Sequence, residues 1–172
     1  MITIGSDAHR PDHIASNFDD DENGSLDSTE ISSVKALNVD RSNISDLTGV
    51  GYFTSLTSLS CSFNSIAVLD LRSNTAISTV YCDNNRLVAL DLRGCTALTK
   101  ISCTNNYIST LSLPSNNSHL TDLYCDNNMI TELDVTTMPK IVNLSCANNS
   151  ISTLTLNRIT TLETLNCSSN SI

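Results

Sequence analysis

From Leu56 onward the apolar positions fall into one recurring frame, Leu-x-x-Leu-x-Cys-x-x-Asn-x-Ile-x-x-Leu-x-Leu, first seen as Leu56, Leu59, Cys61, Asn64, Ile66, Leu69 and Leu71. The next copy follows at once as Ile77, Val80, Cys82, Asn85, Leu87, Leu90 and Leu92. Further copies begin at Leu98, Leu120 and Ile141, and a half-copy runs Leu162, Leu165, Cys167, Asn170, Ile172. The cysteines at 61, 82, 103, 125, 146 and 167 keep spacings of 21, 21, 22, 21 and 21, with one residue inserted near Pro114 to His119. Upstream, Val34, Leu37, Val39, Ile44 and Leu47 fit the frame with Val39 in the cysteine column, followed by Val50 and Phe53. A fixed period in this range marks a solenoid: each unit is too small to bury its own apolar face, and stacking joins the faces into one core.

Within each copy the Leu-x-Cys alternation predicts a short strand with both side chains pointing inward. Cysteines on adjacent strands would lie about 4.8 Å apart with parallel Cβ vectors, which is poor disulfide geometry and gives no tetrahedral convergence for zinc. The column reads as small apolar filler. Cys95 stands apart, replacing a second asparagine column (Asn74, Asn116), and is either buried or reactive. The asparagines at 64, 85, 106, 128, 149 and 170 follow each strand, where a buried amide can serve backbone groups of the turns above and below.

Composition narrows the functions. Apolar residues make up 40% and aromatics 4%, with no Trp, enough for a thin core only. The net charge of −9 argues against nucleic acid, which needs clustered Lys and Arg. No apolar run reaches the roughly 18 residues of a membrane span, and the first residues lack the basic start and apolar stretch of a signal peptide. Ser and Thr are abundant, but none sits beside a His base in a recurring constellation, so the chain reads as non-enzymatic.

One local motif carries ligand chemistry. Asp19 to Glu30 matches a 12-residue EF-hand loop: Asp19, Asp21 and Asn23 as oxygen ligands, Gly24 at the sharp turn, Ser25 through its carbonyl, Asp27 at the ninth place and Glu30 at the twelfth. Calcium is the implied ion. The plainer reading is an acidic turn in which Asp27 N-caps a helix and Glu30 closes a capping box, and a ninth-position acid can do both. Ile14 and Phe18 before the loop, and Ile31 and Val34 after it, read as short helical faces that dock on the first repeat. These features divide the chain into an N-terminal cap, 1–33, and about six and a half repeats, 34–172, ending in mid-repeat. An end left open in this way predicts self-association or further repeats.

The frame resembles the leucine-rich-repeat family, and the cysteine column at 21-residue spacing is similar to internalin-type bacterial surface proteins. The resemblance covers Val34 to Ile172. It implies a mainly β, right-handed solenoid with a parallel sheet on the concave face, behind a short helical cap. It also implies an extracellular or cell-surface setting and a role in adhesion or recognition. A second likeness, of Thr3 to Pro11 to a metal-dependent phosphoesterase segment, would make Asp7 and His9 ligands, but only His13 and His119 remain to complete such a site.

Recognition would then rest on the sheet residues that flank the buried ones: Ser58, Ser60, Ser62; Thr79, Tyr81, Asp83; Lys100, Ser102, Thr104; Asp122, Tyr124, Asp126; Asn143, Ser145, Ala147; Thr164, Asn166, Ser168. Tyr81 with Asp83 and Tyr124 with Asp126 recur in the same columns, about 10 Å apart, with Lys100 on the strand between. They form a candidate patch for a protein or a glycan. The alternatives are a solvated sheet without a ligand, in an architectural spacer, and a phosphoesterase remnant. Asp70 with Arg72 and Asp91 with Arg93, on the opposite side, read as surface pairs.

Overall fold

The computed structural model describes residues 27–172. After helix α1 (Ser28–Ser33), each repeat contributes one three-residue strand to a parallel sheet: β1 (Ala36–Asn38), β2 (Ser58–Ser60), β3 (Thr79–Tyr81), β5 (Lys100–Ser102), β7 (Asp122–Tyr124), β9 (Asn143–Ser145) and β11 (Thr164–Asn166), paired in that order. The register is unbroken, with Leu37, Leu59, Val80, Ile101, Leu123, Leu144 and Leu165 in one row. On the other side of the coil, β4 (Ala89–Asp91) pairs with β6 (Thr110–Ser112) and β8 (Glu132–Asp134) with β10 (Thr153–Thr155). The gap between these two short sheets falls at the repeat that carries the inserted residue.

The apolar columns fill the space between the sheets. Leu59, Ile77, Leu87, Leu92, Leu98 and Ile101 are fully buried, each contributing about 1.5–3 kcal/mol. Cys61, Cys82, Cys103, Cys125 and Cys146 stand buried just past their strands, while Cys167 is half-buried. None is disulfide-bonded. The thiols face backbone acceptors: Cys82 Sγ donates to Ser102 O at 3.5 Å and Cys103 Sγ to Tyr124 O at 3.6 Å.

The asparagine column does more than fill a turn. Asn106 Nδ2 donates to Cys82 O (3.0 Å), Cys103 O (3.2 Å) and Thr104 O (3.2 Å), and its Oδ1 accepts from Leu87 N–H at 3.0 Å. Asn64, Asn85, Asn128, Asn149 and Asn170 repeat this pattern, so each amide fastens its own strand end to the preceding turn. The residue before each ladder amide is left-handed: Phe63, Asn84, Asn105, Asn127, Asn148 and Ser169 have φ between 53° and 58°. Asparagine tolerates that conformation better than most residues, which accounts for the Asn-Asn doublets.

A second ladder, of hydroxyls, runs just before the strands. Thr57, Ser78 and Thr99 each donate to a carbonyl one repeat back, at 2.9, 3.0 and 3.0 Å, and Thr121 Oγ1 lies 3.1 Å from the next such carbonyl while its proton goes to Asp122. It stops at Val142.

For Cys95 the structure takes the buried alternative, and one sequence expectation in its column needs correction. Cys95 is fully buried, with its Sγ donating to Leu71 O at 3.5 Å, and burial pushes the thiol up to about 11. The buried member of its column in the following repeat is Asn117, not Asn116, because the inserted residue shifts the corner by one position. Asn117 Oδ1 accepts from His119 and Leu120 N–H at 2.8 and 2.9 Å. Gly94 lies so close to the turn before it that a Cβ would stand 2.9 Å from Arg72 O.

The expected cap lies largely outside the described residues, including Ile14, Phe18, Asp19, Asp21, Asn23 and Ser25, as do Asp7 and His9. Of the loop, Asp27 and Glu30 are described, and they form the capping box of α1: Asp27 Oδ1 accepts from Thr29 and Glu30 N–H at 2.6 and 2.9 Å, and Glu30 Oε2 from Asp27 N–H at 2.7 Å. Ile31 packs against the core and Val34 is buried in it.

Candidate recognition surface

The sheet's outer face places Tyr81, Ser102 and Tyr124 in one register row, and Thr79, Lys100 and Asp122 in the row beside it. The two tyrosines therefore stand two strand spacings apart, about 10 Å. Lys100 rises between them, its Nζ 5.9 Å from the Tyr81 ring centroid and 5.4 Å from that of Tyr124. Each contact lies within cation–π range. Both tyrosines are half-buried, and the ammonium lies between their rings.

Asp122 fixes one wall. Its Oδ1 accepts from the Tyr124 hydroxyl at 3.2 Å and from Asn143 Nδ2 at 2.8 Å, and its Oδ2 from Thr121 Oγ1 at 2.6 Å. Burial alone would raise this carboxyl, but the donors from Thr121, Asn143 and Tyr124, with the charge of Lys100, bring it below its ordinary value. Burial and the bond to Asp122 raise the Tyr124 phenol in turn. Asp122 thus orients Tyr124 and keeps its negative charge beside Lys100.

The structure brings Tyr81, Lys100 and Tyr124 together, and gives Asp83 and Asp126 a different place. Asp83 Oδ1 accepts from Ser102 Oγ (2.6 Å), Thr104 N–H (2.7 Å) and Thr104 Oγ1 (2.8 Å). Asp126 Oδ1 accepts from Ser145 Oγ (2.6 Å) and Ala147 N–H (2.7 Å), and Asp40 makes the same reach to Ser60 and Ser62. Each carboxylate folds over the next repeat, which also explains why Ser62 and Ala147, expected to face outward, are buried, as is Ser102. Asp40, Asp83 and Asp126 recur 43 residues apart, and that spacing was the available sequence signal. The role of Asp122 had no such signal, since its partners lie on one neighbouring strand and along its own.

Opposite the sheet, Asp70 and Arg72 form a bidentate pair at 2.9 and 2.7 Å, and Asp91 and Arg93 another at 2.9 and 2.6 Å. The hydrogen bonds from Arg93 lower the Asp91 carboxyl to about 2. Both pairs are exposed and lock two like turns without shaping a cleft.

A parallel-strand solenoid with inward leucines, a buried thiol column and an asparagine ladder has the leucine-rich-repeat fold. The functional domain of InlJ from Listeria monocytogenes, a structure described as including a cysteine ladder, is 26% identical, with a TM-score of 0.60 over 85% of this chain and 37% of that one. YopM from Yersinia enterocolitica has a TM-score of 0.62 at 21% identity, covering 93% of this chain and 41% of its own. The internalin InlF of Listeria monocytogenes has a TM-score of 0.58 at 17% identity, covering 91% and 61%. The chain thus spans less than two thirds of the length of each. No family model matches it, and no curated protein matches it in sequence.

Proposed function

We propose that this chain is a protein-interaction module whose partner docks on the concave face of the sheet through Tyr81, Lys100 and Tyr124. The observation that carries the reading is Lys100 held between two rings. A cation already seated in an aromatic cleft offers three N–H donors inside a rigid amphipathic frame, an arrangement suited to a binding hot spot. Asp83 and Asp126 support the frame from the adjoining turn. The likeness to InlJ and InlF supports a module of a bacterial surface or secreted protein rather than an enzyme.

Arrays of extracellular proteins and of glycans, probed with the folded chain, test the reading. A protein partner is expected, and replacing both tyrosines with alanine is expected to weaken it at least tenfold. Full binding by that double mutant would move the site elsewhere, a glycan hit would change the ligand class, and silence on both arrays would favour the spacer.

The Asp19 to Glu30 loop we read as a structural calcium site, supported by the oxygen donors in its sequence and by the capping box that fixes Asp27 and Glu30 at its end. Calcium is expected to raise the melting temperature, with an affinity of about 10⁻⁴ to 10⁻³ M, the range of extracellular modules. Asp19→Ala is expected to abolish the rise. Calorimetry showing no heat at millimolar calcium would remove the ion from the account.

A further inference from the structure

On the far side of the coil the first repeat is built differently from the rest. Where β4, β6, β8 and β10 run in later repeats, it makes a short 3₁₀ turn, Val50–Tyr52, entered through Gly49 at a φ of 98° that favours glycine. The N–H groups of this turn are spent locally, from Val50 to Leu47 O at 3.2 Å, Tyr52 to Gly49 O at 3.0 Å and Phe53 to Val50 O at 3.1 Å. It therefore offers no ladder to the segment that follows it one repeat later. Residues 67–70 pair with no strand on either side, and none of their backbone N–H or C=O groups makes a backbone hydrogen bond.

Between the turn and this segment lies a hollow of about 470 Å³, within the size range of small-ligand sites. The turn, not the neighbouring ion pair, shapes it. Its lining is mixed: Tyr52 and Val68 supply apolar surface and are 64% and 73% exposed, while the Ser73 hydroxyl makes no hydrogen bond among the described residues. Thr48 Oγ1 donates to Asp46 and keeps its lone pairs free to accept. Among the described residues of the lining Asp70 alone is charged, and Arg72 holds both of its carboxylate oxygens, at 2.9 and 2.7 Å. Gly51 leaves the space beside Ser73 open, since a Cβ there would stand 3.6 Å from Ser73 Cβ, an ordinary contact.

These features narrow the ligand. A charged group would find the one lining charge already matched. A hydrocarbon would cover the Ser73 hydroxyl and the solvated backbone groups of 67–70 and take their water without replacing it. A ring with an apolar face and hydroxyls along its edge meets both demands: the face lies against Tyr52 and Val68, and the hydroxyls exchange hydrogen bonds with Ser73, Thr48, Asp70 and the free backbone groups. We infer that this hollow is a binding site for an uncharged saccharide. It lies outside the tyrosine cleft and is independent of the protein partner proposed there.

The test titrates the amide-labelled chain with the methyl glycosides of glucose, galactose, mannose and N-acetylglucosamine at millimolar concentration, with inorganic phosphate and a capped Ala-Thr-Ala peptide as comparisons. At least one glycoside is expected to shift the Gly49, Gly51, Val68 and Ser73 amides together and to leave those of Tyr81, Lys100 and Tyr124 in place. Tyr52→Ala, which removes an exposed ring, is expected to weaken that glycoside at least tenfold, and Gly51→Ala severalfold, both with unchanged melting temperature. No shift with any glycoside, a larger response to phosphate or to the peptide, or equal binding by Tyr52→Ala would overturn the inference. Shifts at Tyr81 and Tyr124 in place of the hollow would also overturn it and move the saccharide to the sheet face.

Discussion

Asn106 makes four hydrogen bonds with one side chain, and three of its partners are backbone groups that water cannot reach once the coil is stacked. Asn106→Ala strands those groups at once, where each buried unpaired group costs about 1–3 kcal/mol. A loss of about 3 kcal/mol or more is expected in chemical denaturation. Asn106→Asp keeps the shape but cannot donate to the three carbonyls, and should fare no better. Its neighbour Asn105 has the opposite task, holding φ at 54° with an exposed side chain. Asn105→Gly is expected to be near neutral and Asn105→Val to cost about 1–2 kcal/mol, the left-handed strain of a residue with a Cβ. If the two substitutions proved equal, backbone conformation would not be what selects the doublet.

At the level of the repeated element, the thiol column ties stability to pH. Burial pushes Cys61 up to about 12, helped by the charges of Asp40 and Asp83, and Cys146 up to about 11. Cys82, Cys103 and Cys125 move the same way from an ordinary value of 9.0. The folded chain keeps its protons where the unfolded chain gives them up, so the stability from the column is complete below pH 9 and falls as pH rises toward 11 to 12. Each thiol that ionises only on unfolding contributes a slope of about 1.4 kcal/mol per pH unit. Denaturation midpoints between pH 8 and 11 are expected to drop steeply, and a version with serine at three ladder positions should drop less. In native protein near pH 8, alkylation should reach Cys167 first. Early labelling of Cys82 or Cys103 would contradict the inward column.

Much of this element could be read from the sequence, because a 21-residue period shows the same buried columns six times over. What escaped was set by one turn lying on another. The oxygens of Asp83 and Asp126 are taken by residues 19 to 21 positions away, and no local pattern shows on which side of a turn a carboxylate will fold. The choice of Asn117 over Asn116 escaped for another reason: an inserted residue can be placed at several points of an alignment, and only packing decides which amide turns inward. Tyr81, Lys100 and Tyr124 were legible as neighbours, since their columns and the strand spacing fix their separation.

For the whole molecule, nearest-neighbour stacking makes stability depend on position along the coil. Interior strands are covered on both sides, whereas β11 is paired only to β9, and Leu165 in its centre is 43% exposed where Ile101 is fully buried. Solenoids of this kind open from their weaker ends. Hydrogen exchange is expected to be slowest through β3, β5 and β7, the strands of the tyrosine cleft, each paired on both sides. Uniform exchange along the sheet would show a single cooperative unit instead.

The inserted residue between Pro114 and His119 leaves the pairing of β5 with β7 in step. The coil therefore measures its turns at the strand and the asparagine, and lets the far corner take up slack. A gene encoding such a protein can gain a residue at that corner and keep the main sheet in step, giving up only the short pairing on the far side. It can also drop a whole unit between equivalent asparagines outside the cleft, such as Asn149 and Asn170, and still bring matching ends together. Length is then a property that this architecture can vary freely, while the cleft, confined to three adjacent turns, passes intact from one length to the next.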